Sequence, residues 1–251
     1  MSGFLEEAEA LEQAASSERV SYLQAQHLAG PLLDVGCGNG YAVAEWWRRG
    51  IRAVGVDSSL YRLSRWLGQP VRLPLVVADA TALPFGDSRF KSSYSSGLLE
   101  HVGVAETGGD TYSVSELPDK FEKRRRAVAE MCRVTTSSGP VILDFPNGAF
   151  PIDFWHGTSL ASFRPHRLPD RLNPTIWEIG RYVPDRSVTI LPLRNRLVFK
   201  QISRRWWGRA LRMPATLFVR LLDSIPRPFH SVLGLLYPFL VVRIGRAEHG
   251  A

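Results

Sequence analysis

The chain has 251 residues, 45% hydrophobic and 22% charged, with a formal net charge of +7, which is ordinary for a soluble globular protein with one good core and one or two domains. Two cysteines, Cys37 and Cys132, give no disulfide framework, and no C-x-x-C or histidine pair points to zinc; the expectation is two reduced cytosolic thiols and no metal. The charge is uneven: up to Trp155 there are 15 basic and 19 acidic residues, and from His156 onward 16 basic and 5 acidic. A basic, Trp-rich second half implies an anionic partner, whether phospholipid, nucleic acid or a phosphorylated substrate.

The first fifteen residues are acidic rather than basic-then-apolar, so no secretory signal is expected. Leu5 to Leu28 carries helix formers and predicts two helices, broken at Ser16-Ser17-Glu18 with Ser17 capping the second. Leu32 to Val35 predicts a buried strand that runs into Gly36-Cys37-Gly38-Asn39-Gly40 and then a helix over Tyr41 to Arg49, closed by Gly50. A strand, a glycine turn and a helix N-terminus form the nucleotide-binding corner of a doubly wound sheet. The glycine spacing departs from the dinucleotide pattern G-x-G-x-x-G/A, since the third glycine falls one residue early at Gly40. Asp34 at the strand end would repel a pyrophosphate but accept a hydrogen bond from an ammonium group.

The stretch Leu33-Asp34-Val35-Gly36-Cys37-Gly38-Asn39-Gly40 resembles the first motif of class I S-adenosylmethionine (SAM) dependent methyltransferases, of the type 11 kind. Further segments keep the family's order. A second strand, Ile51 to Val56, ends at Asp57-Ser58-Ser59, where an acid binds ribose hydroxyls in nucleotide-binding sheets; the alternative is a helix cap. A third strand, Leu75 to Ala78, delivers Asp79-Ala80, which resembles the family's adenine-binding position. Leu83-Pro84-Phe85-Gly86-Asp87 through Phe90 looks like its L-P-F-x-D turn, with Lys91 in place of the final acid. A polar fourth strand, Lys91 to Ser96, should have its serines bonded or partly exposed.

Gly97-Leu98-Leu99-Glu100-His101-Val102 resembles the family's L-E-H-V helix start, which lies beside the methyl group in relatives. The resemblance makes Ser95 a cofactor neighbour and His101 a candidate general base, against the alternative that His101 only orders the helix start. Gly103 to Asp119 predicts an inserted loop, a lid over the substrate. Lys120 to Thr136 predicts a helix whose Lys123 to Arg126 cluster is a solvated face. Arg133 to Pro140 resembles the R-V-L-K-P-G-G turn, eroded but for Gly139, and Val141 to Phe145 is the fifth strand.

Beyond Pro146 the generic pattern stops. Phe150 to Gly157 is dense in aromatics, either a packed corner or an acceptor pocket in which Asp153, Trp155 and His156 meet the substrate, His156 as a second candidate base. Ser187 to Ile202 and Pro238 to Ile244 predict strands closing an antiparallel hairpin. Between them, Arg204-Arg205-Trp206-Trp207-Gly208-Arg209 opens a helix with Leu211, Leu217, Phe218, Leu221 and Leu222 on one face, suited to a membrane interface, to nucleic acid or to covering the sheet. The longest apolar run, Val232 to Ile244, is too short to span a bilayer.

The resulting expectation is an α/β, doubly wound, mostly parallel seven-stranded Rossmann-like sheet with a C-terminal helical and aromatic elaboration. Residues 1–30 are N-terminal helices, 31–147 a SAM-binding core, and 148–251 an acceptor region. The resemblance implies a SAM-dependent methyltransferase; the two thiols add a cytoplasmic setting, the basic, Trp-rich second half a membrane-peripheral one, and the expected acceptor is a small molecule or lipid-linked group, methylated at oxygen. It implies SAM held by Asp34, Gly36, Cys37, Gly38, Gly40, Asp57, Ser58, Asp79, Ala80 and Ser95. The alternatives are an RNA methyltransferase, which lacks an N-P-P-Y element here, and a non-catalytic SAM-binding or membrane-associated protein.

Overall fold

Leu32, Leu33 and Val35 make β1 (Leu32–Val35) apolar but for Asp34, as suits a parallel strand covered on both faces, and every residue of it is buried. The computed structural model describes residues 2–64, 72–107, 113–153, 164–165, 172–193, 206–226, 229 and 234–246. Its main sheet has seven strands in the order β10 (Arg186–Ile190), β11 (Phe239–Arg246), β7 (Val141–Pro146), β4 (Ser92–Ser96), β1, β2 (Ala53–Asp57) and β3 (Leu75–Val77). This is the expected Rossmann-like arrangement, with β2 (Ala53–Asp57) on one side of β1 and β4 (Ser92–Ser96) on the other. Strand order reverses at that point, which is where open α/β sheets bind ligands. The chain divides into two compact units, Met1–Ser96 with Arg126–Ile142, and Gly97–Arg125 with Leu143–Ala251.

In the first unit, β1 pairs in parallel with β2 and β4 in a register that sets Val35 beside Val56 and Ser95, and β3 (Leu75–Val77) extends the sheet from β2. Helix α1 (Ser2–Ala25) is continuous, whereas the sequence predicts a break at Ser16-Ser17-Glu18. Tertiary bonds override the local preference. The Ser17 hydroxyl donates to Glu45 of α2 (Tyr41–Arg48) at 3.2 Å, and the Ser21 hydroxyl bonds the Ser17 carbonyl and Arg49. Glu45 also accepts from Arg48 and Arg49, each at 2.7 Å. The hydrogen bonds from Arg48, with those of Arg49, hold its carboxyl at about 2, below the ordinary 4.5.

Because Glu45 is more acidic folded than unfolded, its contribution to stability is complete above pH 4.5 and is lost as pH falls toward about 2. We therefore expect Glu45→Gln to flatten that part of an acid-unfolding curve and to lower the melting temperature at neutral pH by about 2–4 °C, roughly 1 kcal/mol. Circular dichroism against pH checks it; an unchanged acid limb would contradict the network's role.

Ser92 and Ser93 of β4 are bonded as expected of a polar strand in a core, whereas Ser95 is buried with no hydroxyl partner among the described residues. Ser92 donates to the Ala29 carbonyl at 2.6 Å and Ser93 shares a 2.7 Å bond with Thr135. The L-P-F turn and the Arg133 segment prove to be one clamp: Arg133 donates to the carbonyls of Leu83 and Phe85 and to Asp87, and Glu130 accepts the Leu83 amide.

In the second unit, residues 99–103 form turns rather than the expected helix start, and the insertion is an antiparallel hairpin, β5 (Val104–Thr107) with β6 (Ser113–Glu116). Gly103, with φ 74°, redirects the chain there. Helix α4 (Lys120–Val134) corrects another expectation, because Arg124 is fully buried rather than solvated. Its guanidinium donates to the carbonyls of Val102, Glu100 and Leu172, tying the His101 turn to the segment before α5 (Ile176–Tyr182). Helix α5 starts with a reciprocal Thr175–Glu178 capping box. The predicted closing hairpin is present as β10 (Arg186–Ile190) and β11 (Phe239–Arg246), but β10 ends at Ile190 rather than running on toward Ile202; residues 194–202 lie outside the described residues.

Candidate active site

The site is built at the carboxyl ends of β1, β2, β3 and β4. Gly36, Gly38 and Gly40 all have positive φ, 77°, 56° and 74°, a backbone that side chains resist. The Gly36 and Cys37 amides donate to the Val56 carbonyl at 2.7 and 3.0 Å, fastening the turn across β2. Gly40 caps α2 in the left-handed conformation and, having no side chain, supplies no cap acceptor to the first-turn amides.

Asp57 ends β2 half-buried, and its two oxygens are used evenly: Oδ2 accepts the Gly38 amide and Oδ1 the Ser59 amide, each at 2.8 Å. A carboxylate offers about four acceptor positions. Among the described residues, one position on each oxygen is left over, which is what a vicinal diol asks for. The cap interpretation of Asp57 is thus part of the same geometry, with Ser58 exposed beside it. Asp79, after β3, takes the Thr81 amide and hydroxyl on Oδ1 at 2.8 Å each, and Oδ2 accepts nothing among the described residues. Ala80 follows at the same corner. Ser95, the register partner of Val35, is 2% exposed, and its hydroxyl has no partner among the described residues.

Asp34 and Cys37 are placed differently from a simple ligand contact. Asp34 is 2% exposed, and its Oδ2 accepts the Tyr94 hydroxyl at 2.5 Å from the adjacent position of β4. Burial, and then the Asp34 carboxylate, push the Tyr94 hydroxyl well above its ordinary range, so at neutral pH it is a neutral donor. Trp46 packs on Tyr94 with ring centroids 6.3 Å apart. Sequence reasoning missed Tyr94; the signal was a lone aromatic among four serines, opposite an acid in strand register.

The Cys37 thiol faces Gly55, whose hypothetical Cβ would stand 2.8 Å from its sulfur. Cys37 therefore contributes backbone, not sulfur. Burial, with the negative charges of Asp34 and Asp57, pushes the thiol up. Both cysteines are buried, and we expect neither to react with a disulfide reagent at pH 8 until denaturant is added. A fast-reacting Cys37 in the folded protein would contradict this placement.

His101 is exposed on the turn after β4, in the second unit. Asp153 lies in the two-residue strand β8 (Ile152–Asp153), its side chain outside the described residues, as are Trp155 and His156.

Residues 33–143 match the family model described as a methyltransferase domain. These residues form a class I methyltransferase domain. An uncharacterized methyltransferase of Mycobacterium sp. strain KMS is 32% identical over 114 residues, 45% of this chain and 38% of the relative. The match thus spans under half the length of the curated relatives. A solved Burkholderia thailandensis structure, 1,6-didemethyltoxoflavin-N1-methyltransferase, is 15% identical with a TM-score of 0.51, over 95% of this chain and 80% of that one. A possible histamine N-methyltransferase of Thermotoga maritima is 13% identical, also with a TM-score of 0.51, over 97% and 96%. Both share the fold.

Domains of this class take SAM, and the residues present fit it. The open acceptor positions of Asp57 suit ribose hydroxyls, Oδ2 of Asp79 suits an amine edge, and the unpartnered Ser95 hydroxyl calls for a polar partner.

Proposed function

We propose that the chain transfers a methyl group from SAM to a small-molecule or lipid-linked acceptor, at oxygen. The observation that carries this reading is the Asp57 carboxylate, fixed by two amides with one acceptor position per oxygen left for a diol. SAM would supply an electrophilic methyl on a sulfonium. The rest of the work falls to the protein: orienting the reacting atoms and excluding water.

On this reading Gly36, Cys37, Gly38 and Gly40 hold the amino-acid end with backbone, and Asp34, steadied by Tyr94, sets the charge beneath it. Asp57 and Ser58 hold the ribose, Asp79 and Ala80 the adenine, and Ser95 lines the floor. The core is 31–147, preceded by the N-terminal helix within 1–30, and residues 148–251, with Asp153 and Trp155, form the acceptor region. The acceptor hydroxyl gives its proton to His101 or His156. A cytoplasmic, membrane-peripheral setting suits the buried free thiols and the basic second half.

The test is methyl transfer from labelled SAM to a panel of hydroxylated small molecules and lipid extracts, with product NMR to locate the methyl group. The histidine that serves as base, replaced by alanine, should lower kcat at least 100-fold while leaving SAM affinity within about twofold. Turnover unaffected by both His101→Ala and His156→Ala would remove general-base catalysis from the mechanism.

A further inference from the structure

We infer that the outer face of α6 (Trp206–Asp223) is a docking surface for an anionic phospholipid bilayer. The inference stands on the second unit alone and does not rest on the methyl-transfer reading. At roughly 100° per residue, Met213, Leu217 and Leu221 drift only about 40° from one to the next and so form one stripe. That stripe is 80%, 58% and 61% exposed, with Phe218 beside it at 40%. Val219 and Leu222, on the opposite side, are each 4% exposed and attach the helix to its unit.

The sequence pattern sets Leu217, Phe218, Leu221 and Leu222 on one face. The structure splits them, because Tyr237 donates to the Leu222 carbonyl and draws only that side inward. Helix α6 therefore has two apolar faces, one packed and one in water. The same unit also exposes Leu235 and Leu236. An exposed apolar stripe along one helix face marks an interaction site.

Charge identifies the occupant. The helix carries Arg209, Arg212 and Arg220, and Arg220 is exposed. Its one acid, Asp223, accepts the Leu193 amide at 3.0 Å. From His156 onward the chain has 16 basic residues against 5 acidic ones. An exposed cation on a helix with an exposed aliphatic stripe, in a half of the chain with this excess of base, matches anionic headgroups over hydrocarbon. A nucleic-acid groove would present stacking rings rather than methionine and leucine. No helix among the described residues is long and apolar enough to cross a membrane, so α6 would lie in the interface plane.

The experiment is co-sedimentation of the full chain with phosphatidylcholine vesicles, with or without phosphatidylglycerol, at low and high salt. We expect at least tenfold more binding to the anionic vesicles, weakened by salt. Leu217→Glu with Leu221→Glu should cut that binding at least tenfold, with melting temperature and SAM affinity unchanged because both side chains are exposed. Arg220→Glu should cut it several-fold. No binding to anionic vesicles, or equal binding by the double variant, would overturn the inference. So would a dimer in light scattering that the double variant splits while vesicle binding stays absent, which would assign the face to a second copy of this chain.

Discussion

Asp57→Ala is expected to weaken SAM binding about 100-fold or more while costing the fold only about 2 kcal/mol. The first figure follows from removing two hydrogen bonds to a charged acceptor, each worth about 1.5–3 kcal/mol in a partly buried site. The second follows from the two amides, of Gly38 and Ser59, that would lose their acceptor at the rim of the site, at about 1 kcal/mol each. Asp57→Asn keeps one acceptor oxygen for an amide but offers a diol a donor in place of the second. It should therefore recover much of the stability and little of the affinity. Calorimetric SAM titrations and thermal melts of the three proteins separate the two roles. Parallel losses of affinity and stability would make Asp57 a cap and nothing more.

Gly103→Ala should be the most damaging single-methyl change in the second unit. Gly103 has φ 74°, and a Cβ there would lie 2.4 Å from the Cα of Lys120, backbone that cannot swing aside. Backbone strain of about 1–2 kcal/mol adds to an overpacking cost of about 1–3 kcal/mol, for a total of roughly 4 kcal/mol. At this chain length that is about a 10 °C fall in melting temperature. Gly50 supplies the control, with φ 75° and nothing within 4 Å of where a Cβ would stand. Gly50→Ala should cost only about 1 kcal/mol. Equal melting temperatures for the two variants would mean that the close approach to Lys120 does not fix the turn bearing His101.

Those two glycines also show what can be read from the sequence and what cannot. Gly50 closes a helix in the usual position, so its role follows from local chemistry. Gly103 is required because Lys120, distant in sequence, packs against it, and nothing nearby announces that. The β1 strand, the glycine turn and the acids after β2 and β3 are legible because buried parallel strands are apolar runs and their polar ends stand out. The continuity of α1 is not, since Ser17 and Ser21 take their partners from Glu45 and Arg49, beyond the helix itself. Arg124 reads in sequence as one more cation in a solvated cluster. Its burial depends on three carbonyls, two of them in a turn where the sequence predicts a helix start.

Asp34 shows the limit at the site itself. Its strand position points to a ligand, whereas its immediate partner is Tyr94, a residue that only the parallel register of β1 and β4 brings beside it. The resemblance to methyltransferases therefore locates the cofactor corner without revealing the hydrogen bond beneath it.

The proposed methyl transfer depends on the corner at β1, β2 and β3 being built for SAM. Calorimetric titration of the purified chain with SAM and, separately, with NAD decides the matter. We expect micromolar SAM binding at one site per chain and no NAD binding. A folded protein that binds NAD, or that leaves SAM unbound, would contradict this assignment.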